Sequence, residues 1–165
     1  MSVKISYKIK FSKNKGSNYI LFVGDNYKDL NIKSYVSKNE YSFVLDLLKS
    51  KNQKKKIIEL DINSQKKIIL VSLKKNIKPA EIENLGAKLF DLSSNFKHTQ
   101  YIINSDTISK KLNYLVGHFV HGFKLKSYKF EKYKSKKNYN NLFINVIGKN
   151  IPSLKDQIKF KAIEE

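Results

Sequence analysis

One heptapeptide restricts the fold of this chain more than any other stretch. Lys67–Leu73, KIILVSL, is apolar at both odd and even positions. Alternate side chains of a strand point to opposite faces, so such a segment is buried on both sides and needs a covering layer above and below it. The rest of the chain supplies candidates for those layers. Val3, Ile5, Tyr7, Ile9 and Phe11 alternate with polar residues, which predicts a strand with one wet face at or near a sheet edge. A turn over Ser12–Asn18 leads to Tyr19–Val23, a short apolar run ending at Gly24. Asp25–Val36 has no period and is expected to be a loop.

Ser37 and Glu40 have the spacing of a capping box, and Tyr41, Val44, Leu45 and Leu48 give the helix behind them its stripe. Ile58, Leu60 and Ile62 share one face of a strand over residues 56–62. Pro79 suits the first turn of a helix striped by Ile82, Leu85, Leu89 and Phe90. Gln100–Ile103 and Leu142–Ile147 complete the strands. Ser153, with Asp156 three residues on, starts a last helix striped by Leu154, Ile158 and Ala162 or Ile163. Strands alternating with helices around a strand apolar on both faces define an α/β fold: three layers, a mixed central sheet with helices on both faces.

The longest helical signal follows Thr107. Leu112, Leu115, Val116, Phe119, Val120 and Phe123 form a single stripe at helical period. From Lys124 the period gives way to lysines (Lys124, Lys126, Lys129, Lys132, Lys134, Lys136, Lys137) interleaved with Tyr128, Phe130 and Tyr133. This predicts a basic, aromatic loop over residues 124–137. Such a loop could track a phosphate backbone and stack bases. The competing reading, which we favour on sequence grounds, makes Tyr128 and Phe130 anchors to the domain and the lysines mere solvation.

At 165 residues the chain suits one domain. Its formal charge of +19 favours anionic partners in principle, yet it contains no arginine, the residue that reads phosphate and guanine bidentately. Abundant Lys, Asn, Ile, Tyr and Phe fit A/T-rich codons, so much of the charge is read as solvated surface. There is no cysteine, which rules out disulfides, thiolate metal sites and cysteine nucleophiles. No apolar run is long enough to cross a bilayer, and the alternating N-terminus is not a secretory signal, so no membrane partner is expected and the default location is cytoplasmic.

Chemistry is sparse. His118 and His121 lie one turn apart on the long helix, a chelating spacing, but opposite its apolar stripe and without a carboxylate in that helix. They read as a surface pair, because a metal site needs three or four converging ligands. No G-x-S-x-G, P-loop or H-E-x-x-H occurs. The best-placed turn for a phosphate, Leu73-Lys74-Lys75-Asn76, has lysines but no glycine. The expectation is therefore no catalytic, cofactor-binding or metal residue in this chain.

One segment carries a resemblance. Gly122, Tyr128, Phe130, Glu131, Tyr133, Lys134 and Lys136, within HGFKLKSYKFEKYKSKK, match position by position a segment of the leucyl (cytosol) aminopeptidase family. The order of elements agrees along the chain: a central strand, a helix, the Tyr–Phe segment, a final strand, and a helix starting at QIKFKAIEE. The resemblance implies that residues 1–150 are a non-catalytic, macro-domain-like N-terminal domain. Residues 151–165 would then begin a helix leading into a C-terminal catalytic domain. In the family that catalytic domain holds two divalent metals (Zn or Mn) and an Asn-Thr-Asp-Ala-Glu-Gly-Arg signature, none of which is present here. The implied partners are that catalytic domain and further copies in a homohexamer, with an assembly or regulatory role for this part. Ser72, Leu73 and Lys74 stand where family members usually have glycines, which argues against a nucleotide ligand. The readings beside it are a nucleic-acid-binding module using residues 124–137 and an α/β domain acting on an ADP-ribose-like ligand.

Overall fold

The computed structural model describes residues 3–8, 18–93, 96, 98–132 and 141–164. Among these residues six strands form one sheet: β1 (Val3–Lys8), β2 (Asn18–Gly24), β3 (Ile57–Asp61), β4 (Lys67–Leu73), β5 (Gln100–Asn104) and β6 (Leu142–Ile147), in the order β1-β6-β5-β2-β4-β3. All neighbours are parallel except β3 and β4, which are antiparallel. Four α-helices accompany them: α1 (Lys38–Ser50), α2 (Pro79–Ser93), α3 (Val116–Lys132) and α4 (Leu154–Glu164).

β4 is buried at every position, and its two faces enter different cores. Ile69, Val71 and Leu73 pack with the stripes of α2 and α3, Leu85, Leu89, Phe119 and Phe123 among them. Ile68 and Leu70 pack with Val44 and Leu48 of α1 and with Tyr27 and Ile32. The predicted three layers are therefore real, with two helices on one face and one on the other. At the β1–β6 end the α1 face turns polar. There Ser6 donates to the Asn145 side chain at 2.6 Å, and the Lys4 ammonium sits 5.7 Å from the centre of the Phe143 ring.

Local signals account for most boundaries. The Ser37 capping box is complete: Ser37 Oγ accepts from the Glu40 amide at 3.2 Å, and Glu40 Oε2 accepts from the Ser37 amide at 2.9 Å. Asn18, buried at the start of β2, accepts from the Lys67 amide at 2.7 Å and donates to the Gln100 carbonyl at 3.2 Å, clasping the strands on either side. Residues 25–36 are irregular, as expected, but not empty. Asp25–Tyr27 make a 3-10 turn, and Tyr27 and Ile32 are core residues.

Three expectations need correction. The stripe of the long helix does not lie in one helix, because Lys110–Leu115 form a 3-10 segment before α3 begins at Val116. The basic loop does not start at Lys124, because α3 continues to Lys132. The continuing turn is held by packing: Ser127 is buried and bonds back to the Lys124 carbonyl at 2.6 Å, and Lys124 Nζ donates to the Val3 carbonyl at 2.7 Å. Leu154, Ile158 and Ile163 of α4 do not form one buried stripe: they are 76%, 68% and 56% exposed, and Ile163 lies on the opposite side of the helix from Leu154. Ile9, Phe11, the 12–17 turn, Tyr133, Lys134, Lys136 and Lys137 lie outside the described residues.

α2 and α3 cross at two glycines. A Cβ on Gly86 would lie 2.0 Å from the Phe119 carbonyl oxygen, and one on Gly122 would lie 2.0 Å from the Glu83 carbonyl oxygen. Both obstacles are backbone, so an alanine can be housed only by moving the helices apart. Gly86→Ala and Gly122→Ala should each lower stability by about 2–3 kcal/mol, the scale of overpacking a core. Urea titration followed by circular dichroism measures it, and an alanine variant as stable as the parent would mean the helices are not in backbone contact.

The capping glutamate also predicts a pH effect. Burial alone would raise the Glu40 carboxyl, but hydrogen bonds from Lys66 (2.5 Å) and the Ser37 amide outweigh it and hold its pKa below the ordinary value. A carboxyl depressed in the folded state contributes stability that is complete above its unfolded pKa and is lost as pH falls through the folded one. Glu40→Gln should cost about 1 kcal/mol at neutral pH, the scale of a lost cap, and flatten the fall in stability below about pH 5. Unfolding midpoints across that range read both effects.

Candidate functional site

The carboxyl ends of the strands open into a cleft of ≈ 620 Å³. Its place follows from the topology. Chain leaving β2 runs to α1 on one face of the sheet, whereas chain leaving the adjacent β5 runs to α3 on the other. The two connections part at this point, and such a switch is where open α/β sheets leave a crevice for a ligand. Phe22, Leu73, Ile108 and Leu112 give the cleft an apolar floor. Its rim carries three carboxylates, Asp25, Asp29 and Asp106, and three lysines, Lys28, Lys75 and Lys110.

The backbone around the cleft is tightly determined. Asn26 and Tyr27 both adopt positive φ (54° and 60°), a costly conformation for residues with a Cβ. It is held by the Asn26 amide donating to Ser72 Oγ at 3.1 Å and the Tyr27 hydroxyl donating to the Lys55 carbonyl at 2.6 Å. Burial keeps that phenol protonated by raising its pKa. Gly24 makes the turn possible, since a Cβ there would come within 2.9 Å of Asp29 Cβ. Asp25 lies below the usual carboxylate range, chiefly because Lys56 donates to it at 2.7 Å.

Three hydroxyls in and beside the cleft are structural. Thr107 Oγ1 accepts from the Phe22 amide at 2.9 Å and donates to the Asn104 carbonyl at 2.7 Å. Ser105 donates to the Ile147 carbonyl at 2.7 Å, and Ser72 to the Gly24 carbonyl at 3.3 Å. Each proton is committed to a backbone carbonyl rather than to a base, so these groups are not set up as nucleophiles. Sequence reasoning treated residues 25–36 as a featureless loop and missed this cleft. The signal available was the clustering of Asp25, Asn26, Asp29 and Asn31 directly after an apolar strand.

The histidine pair has a different setting from the one expected. The two rings do lie opposite the α3 stripe, but α4 covers them. The Phe160 ring stacks on His121 (centroids 4.6 Å, 29° between planes) and meets His118 edge-on at 5.3 Å, leaving His121 5% exposed. His118 Nδ1 lies 2.7 Å from Glu83 Oε1 of α2, a carboxylate that a reading confined to α3 could not supply. The histidines thus knit three helices together. Among the described residues no three His, Cys, Asp or Glu side chains converge as metal ligands.

The basic segment is likewise altered. Lys124 is tied to the Val3 carbonyl, and Lys126 lies 3.4 Å from Asp91. Tyr128 is 52% exposed and so is not the anchor expected of it, because the turn buries Ser127 in its place. Lys129, Phe130 and Lys132 belong to α3 by backbone, and their side chains lie outside the described set. No helix among the described residues is long and apolar enough to cross a membrane.

The arrangement defines a three-layer α/β domain with a crevice at its switch point and a helix clamped on the outer side of α3. No family model and no curated protein matches the sequence. Among solved structures, a mutant of tomato leucine aminopeptidase shares the fold with a TM-score of 0.64 over 99% of this chain, at 16% identity. The chain spans 36% of that enzyme's length.

Phe160 is the side chain through which α4 meets the histidines, and Gly117 leaves room for it, a Cβ there falling 2.8 Å from the ring. Phe160→Ala should release α4 while the sheet holds. Hydrogen exchange should show faster exchange of the 154–164 amides by about tenfold or more, with β2 and β4 unchanged. Equal slowing or speeding across the whole domain would contradict this local role.

Proposed function

We propose that the chain is the non-catalytic N-terminal domain of a leucine aminopeptidase-like metallopeptidase. The observation that carries the proposal is the likeness of nearly the whole chain to about a third of tomato leucine aminopeptidase. The Gly122–Lys136 segment, reached independently from sequence, supports the same relation. So do Leu154 and Ile158, one turn apart and exposed on α4, which offer a following domain an apolar contact. In this reading the peptidase chemistry, removal of N-terminal amino acids, resides in a separate catalytic domain with two zinc or manganese ions. The present domain assists assembly of a cytoplasmic homohexamer or access of substrate. The Thr107, Ser105 and Ser72 hydroxyls in and beside its cleft, each committed to a backbone carbonyl, fit a part that binds or positions rather than reacts.

The reading frame tests this directly: codons beyond 165 should encode a metallopeptidase domain, and a stop codon there in the native gene would refute the proposal. The 165-residue chain with Mn²⁺ or Zn²⁺ should release no p-nitroaniline from leucine p-nitroanilide, and metal-dependent turnover would show that it is catalytic after all.

A further inference from the structure

The outer edge of β3 is a second surface, unrelated to the family reading. The Ser72 amide donates to the Lys56 carbonyl (2.8 Å) and the Ile62 amide to the Lys66 carbonyl (2.9 Å). With Ile58 opposite Leu70 and Leu60 opposite Ile68, these bonds fix the even-numbered residues as the ones whose backbone groups face β4. The N–H and C=O groups of Ile57, Glu59 and Asp61 therefore point away from the sheet, and β3 is its last strand. Among the described residues no backbone group bonds to them.

Beside this edge runs a groove of ≈ 700 Å³, lined by Lys51, Lys54, Lys55 and Lys56 from the turn before β3, and by Lys88 and Leu92 of α2. Its acidic residues are already engaged by lysines from outside it. Lys67 donates to Glu59 at 2.7 Å, and Lys126 lies 3.4 Å from Asp91. Lys56 is held by Asp25. Lys51, Lys54, Lys55 and Lys88 are exposed, and none has a carboxylate partner among the described residues. An unpaired strand edge thus lies against a wall of uncompensated positive charge with an apolar floor at Ile57 and Leu92.

We propose that this edge is a docking site for an extended acidic segment of a partner protein, which adds as a further strand beside β3. Its carboxylates face Lys51, Lys54 and Lys88. The chemistry selects a peptide over a nucleic acid. The edge presents donors and acceptors in alternation, which a second peptide backbone matches in both senses, whereas a phosphate backbone offers acceptors only. Among the described residues no aromatic side chain lines the groove to stack a base. Successive same-face residues of a strand repeat every second position, so the partner segment should alternate acidic and small apolar residues.

The test uses a fluorescein-labelled peptide alternating glutamate and valine, a version N-methylated at every backbone nitrogen, and an oligo-dT strand, each titrated with the 165-residue protein and read by anisotropy. The plain peptide should bind, weaken as salt rises, and protect the Ile57, Glu59 and Asp61 amides from exchange. N-methylation should cost about tenfold or more in affinity, since it removes the donors of the added ladder. The K51E/K54E/K88E variant changes only exposed side chains and should lose binding similarly while keeping its circular dichroism and melting temperature. A variant that melts early is replaced by the three single changes, each of which should weaken binding. The proposal is overturned if the plain peptide does not bind at low salt, if the N-methylated peptide binds equally well, or if oligo-dT displaces the peptide with matching affinity.

Discussion

Backbone contact between α2 and α3 is the constraint from which most of the architecture follows. Gly86 lies under the Phe119 carbonyl and Gly122 under the Glu83 carbonyl, so each helix uses a missing side chain to admit the other's main chain. Close approach places Phe90 edge-on against Phe123 (5.4 Å) and Phe119 edge-on against Phe22 of β2 (5.1 Å), joining both helices to the sheet. It also brings Glu83 within reach of His118. With the pair fixed, the outer side of α3 becomes a platform for Phe160, and α4 has a defined place.

Lysine takes on structural work that other proteins divide between lysine and arginine. Lys66 and Lys67 are nearly buried and pair with Glu40 and Glu59, as a charge withdrawn from water requires. Both also approach aromatic rings, Tyr19 at 5.7 Å and Phe96 at 5.6 Å. Lys124 closes off a strand-edge carbonyl at β1. The large formal charge is therefore not one uniform field. Part of it is neutralised within the fold, and one group of lysines without carboxylate partners among the described residues lies beside β3.

The sequence made the layers legible because they depend on periodicity, a local property. KIILVSL announced its two-sided burial, Ser37 and Glu40 their cap, and Pro79 the start of α2. Where the outcome depended on a partner distant in the chain, the pattern misled. Lys124–Lys132 reads as a basic loop until Ser127 is seen buried and Lys124 bonded to Val3. His118 and His121 read as surface until Phe160 covers them. The stripe of α4 misleads in another way, because spacing can say that a side of a helix is apolar but not that anything lies against it. The cleft was hardest to see, since a switch point belongs to strand order, which no single segment encodes. Fold likeness to a leucine aminopeptidase reaches the architecture, while chemistry must be argued from sites.

β1 joins the sheet only along β6, and the Ser6–Asn145 bond spans 139 positions of sequence. β1 is therefore made long before it can be placed, because its docking edge does not exist until the chain has passed Ile147. During synthesis Val3–Lys8 must wait unpaired while the interior assembles without them. The charged wet face of that strand, with Lys4 and Lys8 along it, keeps a waiting segment soluble and discourages it from pairing with its counterpart on a neighbouring nascent chain.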